Sequence, residues 1–489
     1  MKKKHEKYDL NTVGRVAIWL ENIIYFFVIM VSVVLTTMGI VKTVNQSYKL
    51  LLVLLTSAVV IIVLFKIFSK YRVCEANYKI VLPTILLIAF LIRMFYIIIV
   101  NTQPESDFQI MYENALNIVN GTINWTSSNN YLYNWANVIP FVWYESLVIR
   151  VFGSLFALKV MNVLFAVGCT YFIYLLCLKI ATKNSALIIA FFYAIFPQSI
   201  YMSSVLTNQI IALFFTLLGI VLLVYSQNKW YYGILSGISL CIAEFMRPEG
   251  IVIILALLCY ILLQLVTRPN YGLKETLLCI FSVLISYFLL KNGVSVACKF
   301  WGVAPNGLNV RCMEWKFVLG LDFTSDYGGY SEKNEYILGI IDDQERRRET
   351  IRIIVDSFKQ CDNVFNFFIQ KIYNFWHESS IGWSTWYVDL NNSFISQSNL
   401  NTLIDIIKQI ELVFKTVMYA LVGIGTVSVL YTNKRKNFTY LLCTLLFLAT
   451  FFIYLLIEVQ PRYNYYVMAI VFVLASVCLD FFQMSIRKR

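Results

Sequence analysis

The sequence predicts an all-α polytopic membrane protein of about twelve transmembrane helices, with interfacial helices in its first outer loop and one mainly helical outer domain. Three observations predict this class. Of 489 residues, 59% are hydrophobic and only 14% charged, a composition outside the range of soluble domains. Apolar runs of near twenty residues recur, each long enough for a hydrocarbon layer about 30 Å thick. The connections between runs carry either basic clusters or acids and aromatics, as topogenic charge requires.

Twelve runs lie near 17–41, 50–68, 80–100, 155–179, 185–205, 207–225, 231–246, 249–266, 274–292, 406–431, 438–457 and 463–483. Met1 to Tyr8 is basic, and the long apolar stretch behind it lacks a cleavage site, so it reads as a retained first membrane helix. With the N-terminus inside, Lys2–Lys4, Lys66, Lys70, Arg72, Lys79, Lys183, Lys229, Lys274, Lys434–Lys436 and Arg487–Arg489 all fall on the cytoplasmic side. Both termini are then cytoplasmic, in a multi-pass protein of the cell membrane. Segments 101–153, 247–249, 293–405 and 458–463 face outward and hold Glu105, Asp107, Glu145, Arg247, Glu249, Glu458 and Arg462. Four regions follow: 1–79, a tail and two membrane helices; 80–292, a membrane core with outer loop 101–153; 293–405, an outer soluble segment; and 406–489, the C-terminal membrane helices.

The chain is organised around Glu105-Ser106-Asp107-Phe108. Behind it, Phe108, Met111, Tyr112, Ala115, Ile118 and Val119 share one helical face, with Gln109, Glu113, Asn114, Asn117 and Asn120 opposite. This pattern predicts a helix lying on a membrane surface. Ser106 and Gln109 have capping-box spacing, which makes Asp107 a first-turn acid and equally a rigidly mounted one. Val138 to Phe152 is apolar but interrupted by Pro140, Glu145 and Arg150. It reads as a second interfacial helix. An extra span here would invert everything downstream and place Lys434–Lys436 outside.

The middle runs read as scaffold. Gly233 and Gly237 form a GxxxG contact, and Pro197 kinks or ends its helix. Arg93 sits inside a run, either as a functional charge or snorkelling to the interface. In the outer segment, Asp342–Thr350 opens a solvated helix running to Phe358. Lys371 to Tyr387 is dense in aromatics, with His377 and Glu378 among them. That density reads as an interfacial belt or as a platform for sugar rings.

Several chemistries are excluded. There is no GxxxxGK[ST] loop, and Gly423 and Gly425 lie inside an apolar run; no βαβ region could hold a nucleotide. The eleven Cys form no CxxC pair, and the two His, His5 and His377, exclude a His-rich zinc site. A bridge among Cys298, Cys312 and Cys361 stays open. The net charge of +12 is topogenic, and no nucleic-acid partner is read from it. An outward-facing enzyme therefore needs a donor delivered in the membrane. A lipid phosphate calls for Arg at the membrane edge, as at Arg247, Arg462 and Arg93. An acceptor hydroxyl calls for a carboxylate base, as at Asp107.

The order of short motifs carries a resemblance: Ser106-Asp107-Phe108…Tyr112…Ala115, Phe152-Gly153, Phe196-Pro197, Met246-Arg247-Pro248-Glu249 and Glu458-Val459-Gln460-Pro461-Arg462-Tyr463. From about residue 80 to the C-terminus the chain resembles the GT-C superfamily of integral-membrane glycosyltransferases, in the bacterial branch with protein O-mannosyltransferases and aminoarabinose transferases. The resemblance implies transfer of a monosaccharide from a polyprenyl-phosphate donor, a membrane lipid, to a surface glycan, lipid or protein. It implies Asp107 as catalytic base and Arg462 and Arg247 as contacts of the lipid phosphate. Glu105, Glu145, His377, Glu378, Glu458 and Tyr463 are further candidates for substrate contact. A flippase and a donor-synthesising glycosyltransferase would serve the same pathway. Two features depart from the family pattern. Runs 17–41 and 50–68 precede its usual start, and Phe108 stands where the O-mannosyltransferases carry the Glu of an Asp-Glu pair. That departure leaves a divalent metal open. Two rival readings are a transporter or flippase of a lipid-linked or polyol substrate and a non-catalytic partner in polymer export.

Overall fold

The computed structural model describes residues 12–46, 75–125, 131–226, 229–248, 250–267, 273–310, 312–340, 342–432 and 437–487. The expected run at 50–68 and Glu249 lie outside these residues.

Among the described residues the chain is helical throughout, with one isolated antiparallel bridge between Thr102 and Val388. The apolar helices of the bundle are α1 (Thr12–Gln46), α2 (Glu75–Ile99), α5 (Leu155–Ile180), α6 (Lys183–Ala194), α8 (Gln209–Val224), α9 (Trp230–Met246), α10 (Gly250–Thr267), α11 (Leu273–Phe300), α17 (Gln397–Thr432), α18 (Phe438–Leu456) and α19 (Tyr465–Arg487). Between α2 and α5 lie α3 (Ser106–Asn120) and α4 (Ile139–Phe152); a short α7 (Pro197–Tyr201) follows α6. The segment between α11 and α17 holds α12 (Trp315–Gly320), α13 (Lys333–Gly339), α14 (Asp343–Lys359), α15 (Val364–Trp376) and α16 (Ile381–Thr385).

The expected count of twelve spans is not reproduced among the described residues. Seven helices in the described residues are long and apolar enough to cross a membrane, or eight if the bent pair α6–α7 is one span. At 10–17 apolar residues, the cores of α8, α9 and α10 fall short of a full crossing. The run at 185–205 breaks at Phe196-Pro197 with a 57° bend. Pro197 takes the first position of α7, where its missing N–H costs nothing. The run expected at 406–431 belongs to a helix that begins at Gln397, so α17 carries the outer segment directly into the bundle.

The core is one continuous apolar cluster centred on α19, whose residues from Val467 to Ala475 are all buried. Close approach of α9 and α11 depends on the two expected glycines. A side chain on Gly233 would meet the Cys279 carbonyl, and one on Gly237 the Val283 carbonyl. A second cluster joins α3 to α4 through Phe108, Met111, Ala115, Val142 and Ile149. At about 1.5 Å per residue, the 14-residue α4 is shorter than the hydrocarbon layer, which agrees with a helix that does not span.

Candidate functional site

Asp107 owes its place to the extended stretch that leaves α2. The Gln103 N–H donates to the Tyr387 carbonyl at 2.6 Å, and the Asp389 N–H to the Asn101 carbonyl at 2.8 Å. Lys159 of α5 donates to Asn101 Oδ1 at 2.8 Å and to the Thr102 carbonyl. The Thr102 hydroxyl donates to the Ser204 carbonyl. The start of α3 is thus tied to α5, to the α7 turn and to the outer segment.

The local geometry differs from a capping box. Glu105 occupies the N-cap without a side-chain bond, and Gln109 donates instead to Glu113 at 2.8 Å. Ser106 sits at φ +54°, a left-handed conformation that costs an L-residue about 1–2 kcal/mol. The strain sits one residue before Asp107, and strain of this kind persists only where surrounding contacts over-determine it. Phe108 fixes the first turn, with its ring 6.1 Å from Trp383 and 6.3 Å from Tyr387.

Two guanidinium groups converge on the same corner. Arg462, in the 3-10 turn Pro461–Asn464, lies 4.2 Å from the Trp383 ring, 5.5 Å from Tyr463 and 5.7 Å from Phe108. Such contacts with ring faces hold a cation in place without neutralising it. Its backbone carbonyl accepts from Gln209 at 2.7 Å, while its buried Nε has no hydrogen-bond partner. Arg247, just past the end of α9, lies 4.8 Å from the same Tyr463 ring and donates to Asn208 Oδ1 at 3.4 Å. The Tyr463 hydroxyl donates to buried Glu458 at 3.3 Å, and Gln460 donates to the same carboxylate at 2.6 Å.

The electrostatics follow from this packing. Asp107 keeps solvent-accessible surface, but burial by its neighbours raises its pKa, and Arg462 pulls it back down. The Tyr131 phenol is pushed up by burial and by Asp107, with Arg462 opposing. Tyr387 is raised by burial and feels Arg462, Asp107 and Glu105. Asp107, Arg462, Tyr131 and Tyr387 therefore share one electrostatic environment, with Glu105 at its exposed edge.

Four expected contact residues lie elsewhere. Arg93 is fully buried rather than snorkelling. It donates to the Ala89 and Ala194 carbonyls at 2.9 and 2.8 Å, to the Ser199 carbonyl at 3.2 Å and to Ser199 Oγ at 2.7 Å. Its task is to satisfy the backbone freed at the α6–α7 break. Glu145 is buried between α3 and α4 with both oxygens unpartnered, and burial raises its pKa well above the carboxylate range. Burial therefore favours its neutral form. His377 donates from Nε2 to the Leu35 carbonyl of α1 at 2.8 Å and stacks on Tyr373, and burial lowers its pKa to about 3. Glu378 acts on the Tyr373 and Tyr327 phenols, and its carbonyl accepts from Lys415 at 2.8 Å.

The aromatic stretch is divided in two. Phe375 and Trp376 are buried in the bundle core, while Trp383 and Tyr387 form the wall behind Phe108 and Arg462. Sequence reasoning missed a buried polar network behind this wall. Glu411 and Lys415 pair at 2.7 Å with neither side chain exposed, and Glu411 accepts from Tyr201 at 3.0 Å and from Ser379 at 2.5 Å. Opposite charges four residues apart inside an apolar run were the available signal.

Cys298, Cys312 and Cys361 are unbridged. Among the described residues no three His, Cys, Asp or Glu side chains gather to hold a metal ion. A cavity of 520 Å³ lined by Lys179, Thr182, Asn437, Tyr440 and Asp480 lies at the opposite end of the bundle from Asp107.

The fold and this corner define a multi-helix protein that brings Asp107 and the guanidiniums of Arg462 and Arg247 towards one end of the bundle. No protein family matches the chain, and no curated protein matches it. Solved structures of the oligosaccharyltransferase of Archaeoglobus fulgidus are similar. One, tethered with an acceptor peptide containing the NVT sequon, is 14% identical, covers 83% of this chain and 49% of its own, and has a TM-score of 0.46. A second, in complex with Zn and sulfate, gives 15%, 83%, 51% and 0.48. A third, in complex with an inhibitory peptide and a dolichol-phosphate, gives 14%, 86%, 52% and 0.47. The chain spans about half the length of the solved structures it matches.

Proposed function

We propose that the protein transfers a monosaccharide from a polyprenyl-phosphate donor to an acceptor hydroxyl at the outer membrane face. The observation that carries this reading is the convergence of Asp107, Arg462 and Arg247 from three segments far apart in sequence. A carboxylate beside two cations held on aromatic faces suits a reaction that removes a proton on one side and releases a phosphate on the other.

In the proposed step Asp107 takes the proton of the acceptor hydroxyl as its oxygen bonds to the anomeric carbon. The bond from that carbon to the phosphate oxygen breaks, and its electron pair leaves with the lipid phosphate. Arg462 and Arg247 balance the developing negative charge. A single displacement inverts the anomeric centre. Glu105 is placed to orient a sugar hydroxyl at the exposed edge. The acceptor class, whether glycan, lipid or protein, is a matter for the assay.

The test supplies synthetic polyprenyl-phosphate hexoses to purified protein in lipid and follows loss of sugar from the donor. Asp107→Asn is expected to slow turnover by about 10²–10⁴-fold, the usual contribution of a general base, with protein level unchanged. Near-normal turnover in that variant overturns the assignment. Absence of donor binding in the wild type, together with no effect of Arg462→Ala, would favour the transporter reading instead.

A further inference from the structure

The turn that carries Arg462 is held by side-chain amides from a part of the bundle remote in sequence. Pro461–Asn464 is a single 3-10 turn leading into α19. At its far end, Asn464 accepts from Gln198 Nε2 at 2.7 Å and donates to the Phe375 carbonyl at 2.6 Å. At Arg462 itself, Gln209 Nε2 donates to the backbone carbonyl at 2.7 Å. Gln198, Gln209 and Asn464 are all buried. Gln198 lies in α7 and Gln209 opens α8, so the turn is reached from both sides of the connection between those helices. The neighbouring Asn208 donates from Nδ2 to the Met246 carbonyl at 2.7 Å, one residue before Arg247. Consecutive side chains thus reach both arginine-bearing segments.

Gln209 is not needed to satisfy the turn. The Arg462 carbonyl also accepts from the Tyr465 N–H, so it keeps a partner without the glutamine. Gln209 Oε1, meanwhile, is buried with no hydrogen-bond partner. An unpartnered buried carbonyl costs stability, and an apolar side chain of similar length removes that cost. The amide orientation follows from chemistry, because only its NH2 group can face a carbonyl oxygen. What the glutamine adds is a tie between the Arg462 backbone and the first turn of α8. The guanidinium on that backbone rests on the Trp383, Tyr463 and Phe108 rings, and its buried Nε lacks a partner. A cation is attracted anywhere within about 6 Å of a ring centroid rather than along one bond direction. Placement of the backbone therefore decides where this cation stands.

We propose that Gln209 is a positioning residue for Arg462, tying the turn that bears the guanidinium to α8 so that the cation stands where a lipid phosphate docks. This rests on the phosphate-binding reading of the site. Without the amide the turn stays hydrogen-bonded through Tyr465 and Asn464, but its Arg462 end is free to shift against α8. Arg462 then spends part of its time away from the docking position. Donor affinity falls while the fold stands.

Three measurements on the full chain in lipid test this, each on Gln209→Met with and without Arg462→Ala, which keeps the carbonyl and removes the guanidinium. The melting temperature of Gln209→Met should hold or rise, since the substitution removes an unpartnered oxygen. Trp383 emission, taken for each protein minus its Trp383→Phe counterpart, should change, because Arg462 lies 4.2 Å from that ring. In the Arg462→Ala background Gln209→Met should leave that emission as it is. The third measurement is binding of a synthetic polyprenyl-phosphate hexose in an Asp107→Asn background, which removes the proposed base. Its Kd should rise several-fold in Gln209→Met and rise no further where Arg462→Ala is already present. Emission that is unmoved by Gln209→Met, or that moves equally without the arginine, overturns the proposal. So does a Kd that is unaffected, or that rises to the same extent in Arg462→Ala. Loss of folded protein in both Gln209→Met and Gln209→Leu gives the residue a structural role and overturns it as well. Failure of the hexose to bind without either substitution counts against the phosphate-binding reading, while the emission still decides the role of Gln209.

Discussion

Asp107 is exposed enough to meet a soluble molecule and packed enough to have its pKa raised by burial. A base must be ionised to accept a proton, so the rate should fall as pH drops through the folded-state pKa. The acid limb of the kcat/KM profile is therefore expected above the ordinary aspartate value of 3.8. Arg462→Lys tests the opposing influence. A lysine lacks the planar face that stacks on Trp383, so donor KM should rise even though the charge is kept. Arg93 makes a contrasting case. Arg93→Met leaves the Ala194 carbonyl without its donor, while the Ser199 carbonyl keeps the Ser203 hydroxyl, and an unpaired buried group costs about 1–3 kcal/mol. Yield of folded protein should drop, with donor KM unchanged in what remains. Raised KM at normal yield would return Arg93 to the substrate site.

Secondary elements decide how firmly these side chains are held. Ser106 starts α3 from a left-handed conformation that glycine adopts without strain. Ser106→Gly is expected to keep or raise thermal stability while lowering kcat, because Asp107 then samples more orientations. Lower stability with unchanged kcat would show that the conformation has no part in placing Asp107. On α9, Gly237 permits contact with the Val283 carbonyl of α11. Gly237→Leu forces these helices apart at a cost of about 1–3 kcal/mol or more. Since Arg247 follows the end of α9, donor binding should weaken together with stability. The stretch Lys371 to Tyr387, read as an interfacial belt or a platform for sugar rings, is divided in the structure. The breaks after Trp376 and at Ser380 turn one half into the bundle and the other towards Arg462.

At the scale of the whole molecule, the segment 293–405 is built into the site rather than appended to it. It supplies Trp383 and Tyr387 to the wall, pairs Tyr387 and Asp389 with the stretch before Asp107, and grips the loop before Arg462 through Lys316 and Gly328. The long α17 makes this connection rigid by running from Gln397 into the bundle. The charge pattern expects this end to face outward. Asn391→Cys, in an exposed turn of the segment, should react with a membrane-impermeant maleimide applied to intact cells, in a background lacking other reactive cysteines. Labelling that requires permeabilised cells would invert the orientation and remove the case for a donor delivered in the membrane.

Residue order alone points to the class of fold, most helix positions, the break at Pro197 and the candidacy of Asp107, Arg247 and Arg462. Hydrophobic length, proline chemistry and charge at the edges of apolar runs are local properties, and they survive without knowledge of neighbours. Only the tertiary structure decided which charges meet. Glu145 and Asp107 look alike in sequence, yet one is enclosed between α3 and α4 and the other faces Arg462. His377 and Trp383 share one aromatic stretch but point to different partners, Leu35 and Arg462. The Glu411–Lys415 pair, only four residues apart, drew no attention, because its meaning lies in burial. Burial sets the cost of a charge, and burial is a property of the packed chain.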